Sequence, residues 1–124
     1  RGLVGSEMCI RDSYKGALAL LQEGVTALIA GDSMMTAGAL EACHNAGKRI
    51  GEEIALVGFD DFIYLRFQPS PISVVDQDVA RMGETATAKL IAAINEKHQP
   101  EGEVLETRYI PRMSTAHQLD GATP

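Results

Sequence analysis

Two carboxylates stand where this sequence could do chemistry. Asp32 and Asp60 each lie just past a short apolar run, Val25–Ala30 and Ile54–Phe59. An ionised carboxylate accepts hydrogen bonds from several donors at once, which suits sugar hydroxyls or the N–H edge of a purine. Open α/β sheets bind ligands outside the carboxyl ends of their strands. If the two runs are neighbouring strands, both acids rim one crevice. Each acid also has a structural reading. Asp32 can cap a helix N-terminus, a contribution of about 1 kcal/mol, and Asp60 can cap the turn at 61–67.

Other chemistries find little footing, and no catalytic residue is expected. The stretch Gly31–Met35, GDSMM, starts like a G-x-S-x-G nucleophile elbow, but Met35 replaces the second glycine. The sequence contains neither a G-x-G-x-x-G fingerprint nor a phosphate loop, and no cofactor is expected. A glycosidase reading of Asp32 and Asp60 rests on nothing beyond two acids. The cysteines, Cys9 and Cys43, form no C-x-x-C pair, and His44, His98 and His117 are too far apart for a zinc signature. No metal site is expected, and Cys43, in an alanine-rich amphipathic stretch, reads as a buried free thiol. The net charge is −6, and the eleven basic residues are scattered, Lys48-Arg49 being the densest pair. Such a stretch repels phosphate, so it should not bind nucleic acid by itself. No apolar run approaches the roughly 20 residues that span a bilayer. No charged-then-apolar leader opens the chain, so nothing here directs export.

The elements that would position the acids follow from hydrophobic pattern. Residues 1–13 show no helical or strand period and read as a mobile leader of non-native, adapter-like origin. Tyr14–Glu23 reads as the end of a helix, with Gly24 as its C′ residue. Val25–Ala30 and Ile54–Phe59 are continuous apolar runs, as expected of strands buried on both faces of a parallel sheet. Asp32 or Ser33 caps a helix reaching about Ala46, with Met35, Ala39, Ala42, Cys43 and Ala46 as its core stripe. A second patch on that helix, Met34, Ala37 and Gly38, implies that something covers another side. A short turn or helix at 61–67 is broken by Pro69 and Pro71. Ile72–Val75 reads as a third strand. Asp76 or Asp78 then caps a helix with the stripe Val79, Met82, Gly83, Ala86, Leu90, Ala93 and Ile94. Val104–Ile110 is the last expected strand, and a loose tail is expected after Met113, covering 116–124. The alternation implies an α/β fold with a Rossmann-like parallel sheet.

The stretch TALIAGDSMMTAGALEACHNAGKRIGEEIALVGFDDF, then PISVVDQDVARMG and the closing TRYIPRMST, resembles the C-terminal part of lactose-repressor (LacI) family regulators. The resemblance spans about residues 14–115. It implies the C-terminal portion of a two-lobed, periplasmic-binding-protein-like fold, a partial effector-binding and dimerisation domain at 14–115. It further implies a cytoplasmic transcription regulator, a sugar-like small-molecule effector, a homodimer partner, and operator DNA held by a headpiece that this chain lacks. Asp60 matches the first acid of the family's GFDD motif, which contacts effector. Asp32 falls where the family has an effector-contacting Asn, and Ser33 on the Asp after it. Gln77 matches the Gln at the return to the other half, and Val79 a position sometimes aromatic. Asp in place of Asn at Asp32 removes an amide donor and adds a charge, so two acids in one crevice call for a basic group or a hydroxyl-rich ligand. The helix at 34–46 would supply a dimer face of Met34, Ala37, Gly38 and Glu41. The alternatives are the C-terminal part of an exported sugar-binding protein of a transporter, which shares the two-lobed fold, and an α/β enzyme.

Overall fold

The computed structural model describes residues 2–120, with side chains described for residues 9–116. Its elements are α1 (Gly2–Gln22), β1 (Ala27–Ile29), α2 (Ser33–Asn45), β2 (Ala55–Phe59), α3 (Ile63–Arg66), β3 (Ser73–Asp76), α4 (Val79–Glu96), β4 (Arg108–Ile110) and α5 (Met113–Asp120). The sheet runs β1-β2-β3-β4. The expected α/β fold is present, with β1, β2 and β3 parallel.

One face of the sheet carries the core. Leu28 pairs with Leu56, and Gly58 with Val74. Leu28, Leu56 and Val74 cluster with Ala39, Ala42 and Cys43 of α2 and with Ala17 and Leu21 of α1. Gly58 allows α2 its close approach, because a Cβ there would lie 2.8 Å from Thr36 Cγ2. The buried positions of α2 are Thr36, Gly38, Ala39, Ala42 and Cys43, so the core stripe is rotated from the expected one. Met35 and Ala46 are exposed, because α2 meets the sheet through its small residues. Burial raises the Cys43 thiol pKa, in keeping with an unreactive free cysteine.

The opposite face of β1 is bare, contrary to expectation: Ile29 is 79% exposed. Its continuous apolar run reflects a strand built for two covered faces, but within β1 only Leu28, on the core side, is buried.

The two ends also differ from expectation. Residues 2–13 are helical, the first part of α1, rather than patternless. Here α1 lies directly on α2: a Cβ on Gly38 would sit 2.7 Å from Ser13 Cβ and Tyr14 N, and 2.8 Å from Ile10 O. Helix–helix packing through a glycine needs no long apolar period, which is why the pattern did not show it. The tail expected from Met113 is instead α5. Ser114 Oγ accepts from Ser73 N (2.8 Å) and donates to the Leu56 carbonyl, and both Ser114 and Thr115 are buried. Hydroxyl anchoring of this kind leaves no hydrophobic trace in the sequence. Residues 121–124 of that tail lie outside the described residues.

The sheet is not wholly parallel. β4 is antiparallel to β3, with Asp76 opposite Arg108. The chain therefore leaves and re-enters the sheet at the same edge, the carboxyl edge of β3. The excursion is α4, 18 residues and about 27 Å long at 1.5 Å per residue, and a return segment. Lys89 Nζ ties the two, donating to the Glu101 carbonyl at 3.1 Å and lying 3.7 Å from Glu103 Oε2. A βαβ crossover would have brought β4 in parallel; here α4 points away from the sheet and none of its residues is buried.

Candidate functional site

A cleft of about 370 Å³ opens at the carboxyl edge where α4 departs, lined by Asp60, Asp61, Asp76, Asp78, Val79 and Arg108 among others. Asp60 is the first residue past β2. Its backbone is left-handed, φ 65°, a conformation that Asp tolerates better than most residues. Its N–H donates to the Val75 carbonyl at 2.8 Å, which fixes the turn against β3. Its side-chain Oδ1 is buried and has no hydrogen-bond partner among the described residues. The capping alternative for Asp60 does not hold: α3 is capped at Phe62, without a side-chain hydrogen bond. A buried acceptor without a partner costs about 1–3 kcal/mol, so it marks a place for a donor.

Asp61, next along the chain, is in the opposite condition. Arg112 Nη2 donates to Asp61 Oδ2 at 2.8 Å, and Arg66 Nη2 donates to the same oxygen at 2.9 Å. Asp61 Oδ1 makes no aligned hydrogen bond, yet Arg112 Nη1 lies 2.8 Å away and the ion pair offsets its burial. The Arg112 hydrogen bond, ahead of the opposing cost of burial and the Arg66 contact, holds the Asp61 carboxyl below its usual range. Arg112 itself is anchored, donating from Nη1 to the Ile72 carbonyl at 3.0 Å and from its backbone N–H to Ser73 Oγ at 2.7 Å. Sequence reasoning did not single out Asp61 or Arg112. The available signal was the second acid of GFDD and one arginine in PRMST, 51 residues apart.

Val79 is brought together with Asp60 in the cleft. Between them Asp78, φ 51°, caps α4 by accepting from Arg81 N at 3.2 Å. Gln77 is half-buried and faces a neighbouring groove of about 490 Å³ between α4 and its return segment. Asp32 does not share the Asp60 cleft, although β1 and β2 are neighbours. It lines a separate depression of about 440 Å³ beneath α1, beside Leu28 and Met35. There Asp32 caps α2, Oδ1 accepting from Met35 N at 2.7 Å. The reason is the start of the helix: Asp32 is the N-cap of α2, and the cap holds its carboxylate on the first turn of that helix. Of the expected dimer face, Met34 and Glu41 are exposed and Ala37 is half-buried. Gly38 is buried under α1 and is not free to meet a partner.

Residues 6–115 match the family model of the periplasmic binding protein-like domain. The chain belongs to that family. Among curated relatives of this periplasmic-binding-protein-like chain is the HTH-type transcriptional regulator MalR of Streptomyces coelicolor, 32% identical over 81% of this chain and 29% of its own length. Among solved structures, one described as a transcription regulator of Staphylococcus saprophyticus superposes with a TM-score of 0.82 at 28% identity, covering 88% of this chain and 39% of that one. A LacI family transcriptional regulator of Arthrobacter sp. FB24, solved in complex with lactose, gives a TM-score of 0.70 at 25% identity over 83% of this chain and 40% of its own. The chain thus spans about a third of the length of the curated relatives it matches. The expected resemblance to lactose-repressor-type regulators and the expected fold both stand. Among the described residues, no helix is long and apolar enough to cross a membrane, and no group of three or more His, Cys, Asp and Glu gathers as a metal site.

Proposed function

We infer that the chain is part of the effector-binding half of a transcription regulator, and that its effector is a sugar or sugar derivative. The carrying observation is Asp60: a carboxylate oxygen, buried and unpartnered, at the carboxyl edge of a Rossmann-like sheet. Hydroxyl donors satisfy such an acceptor at little desolvation cost. The relatives support this reading, being named as transcriptional regulators, one of them solved with lactose.

The bare helix α4 fits the same reading. Val79 (55% exposed), Leu90 (60%) and Ile94 (65%) form an apolar stripe on an arm that points off the sheet. A second lobe would cover that stripe and close the cleft over Asp60, with Val79 and Gln77 near the seam. Asp32 is retained as a weaker effector contact through its second oxygen. Homodimerisation would use Met34, Ala37 and Glu41, and operator binding would come from a headpiece outside these 124 residues. The protein would act in the cytoplasm and would catalyse no reaction. The test is a thermal-shift screen of the full-length regulator against neutral mono- and disaccharides. Stabilisation by a sugar, lost in Asp60→Ala, supports the reading, and stabilisation undiminished in Asp60→Ala removes its basis.

A further inference from the structure

We propose that Arg112 is a positioning residue for the ligand site: by holding Asp61, it leaves the adjacent Asp60 carboxylate free for ligand. The proposal rests on the reading of Asp60 as an effector contact.

Two carboxylates on consecutive residues compete for the same local cations. Here the competition is settled. Arg112 approaches both oxygens of Asp61 at 2.8 Å, and Arg66 adds a third contact at 2.9 Å. Arg112 and Asp61 are largely enclosed, with side chains 17% and 12% exposed, so water screens the pair little. Asp60 takes none of these donors. The left-handed turn at Asp60 separates the two side chains, sending one carboxylate to the arginines and leaving the other beside α4.

Arg112 can play this part because it is fixed from behind. Its guanidinium reaches the Ile72 carbonyl, and its backbone N–H reaches Ser73 Oγ, both at the start of β3. Ser73 Oγ in turn lies 2.7 Å from Thr115 Oγ1. The β4–α5 corner is therefore pinned to the strand next to β2, and the guanidinium is delivered to the β2–α3 loop at a set distance. A lysine has one charged atom and cannot bridge both carboxylate oxygens while also bonding Ile72.

The consequence is coupling between positions 60 and 112. In Arg112→Met, Asp61 loses its main partner and competes for donors in the cleft. In Asp61→Asn, the released arginine offers Asp60 an internal partner in place of ligand. A merely structural Arg112 would lower affinity equally whatever stands at position 60. A positioning Arg112 matters only while position 60 is a carboxylate.

The experiment is a double-mutant cycle in the full-length regulator, the probe being the neutral sugar that binds the unmodified protein most tightly by calorimetry. Asp60→Asn and Arg112→Met should each weaken the probe by about 10-fold or more. Arg112→Met added to Asp60→Asn should cost less than about twofold further. Asp61→Asn, which keeps the shape of the side chain, should also weaken the probe and serves if Arg112→Met does not fold. Arg112→Lys should fold without recovering affinity. Equal losses from Arg112→Met, or from Asp61→Asn, in both backgrounds would overturn the positioning role while leaving Asp60 as a contact. An Asp60→Asn protein that binds the probe normally, or no sugar bound at all, would overturn the effector reading and this inference with it.

Discussion

Thr36 on α2 accepts the backbone N–H of Phe59 at 3.2 Å, while its own hydroxyl donates to the Asp32 carbonyl at 2.7 Å. One fully buried hydroxyl thus fastens the first turn of α2 to the last residue of β2, directly ahead of Asp60. Thr36→Val removes both bonds at nearly constant volume and leaves the Phe59 N–H without a partner. The expected loss is about 1–3 kcal/mol, read as a lower denaturation midpoint at unchanged m-value.

The Asp32 carboxylate caps α2, and substitution can separate that role from the ligand contact proposed for it. Asp32→Ala should destabilise by about 1 kcal/mol through the lost cap, whereas Asp32→Ser should keep most of that stability. If Asp32→Ser also keeps full sugar affinity, the residue is a cap only. Reduced affinity in a protein of unaltered stability would show a ligand contact as well.

Gly58 should tolerate no side chain. A Cβ would meet Thr36 Cγ2 at 2.8 Å and Oγ1 at 3.2 Å, on a side chain whose hydroxyl is held by two hydrogen bonds, to the Asp32 carbonyl and from the Phe59 N–H. Gly58→Ala is expected to cost about 1–3 kcal/mol, measured by chemical denaturation. A variant as stable as the parent would mean that α2 shifts off the sheet freely.

Asp61 gives the stability an acid-side dependence. Its folded-state pKa is depressed, chiefly by the Arg112 hydrogen bond. Its contribution is therefore fully present above the unfolded carboxylate value of about 3.9. It is lost as pH falls through the lower folded-state value. Asp61→Asn should be clearly less stable than the parent at neutral pH, with the gap narrowing below about pH 4. Parallel stability curves down to pH 2 would show that the ion pair does not carry this dependence.

The fold was largely legible in the sequence, and the site only in part. Val25–Ala30 and Ile54–Phe59 announce strands because apolar continuity is what a covered parallel sheet demands. The position of Asp60 at a strand's carboxyl end was legible because it follows such a run. What escaped were features with no periodic signature. The approach of α1 to α2 depends on one glycine, Gly38. The docking of α5 depends on hydroxyls, Ser73, Ser114 and Thr115. The Asp61–Arg112 pair joins residues far apart in sequence, and no local pattern identifies an arginine's partner. The separation of Asp32 from Asp60 turns on where α2 begins, with Asp32 as its N-cap. The stripe on α4, by contrast, is legible as apolar, and Val79, Leu90 and Ile94 are exposed along it: amphipathicity reports an apolar surface and not what lies against it.

The most direct test of the proposed function is calorimetric titration of the full-length protein and its Asp60→Ala variant with whichever sugar the thermal-shift screen selects. Loss of one hydrogen-bonding carboxylate should weaken binding by roughly 10- to 100-fold, while operator binding without sugar is retained. Equal affinities in a folded Asp60→Ala protein would contradict the claim that this unpartnered carboxylate exists to hold the effector.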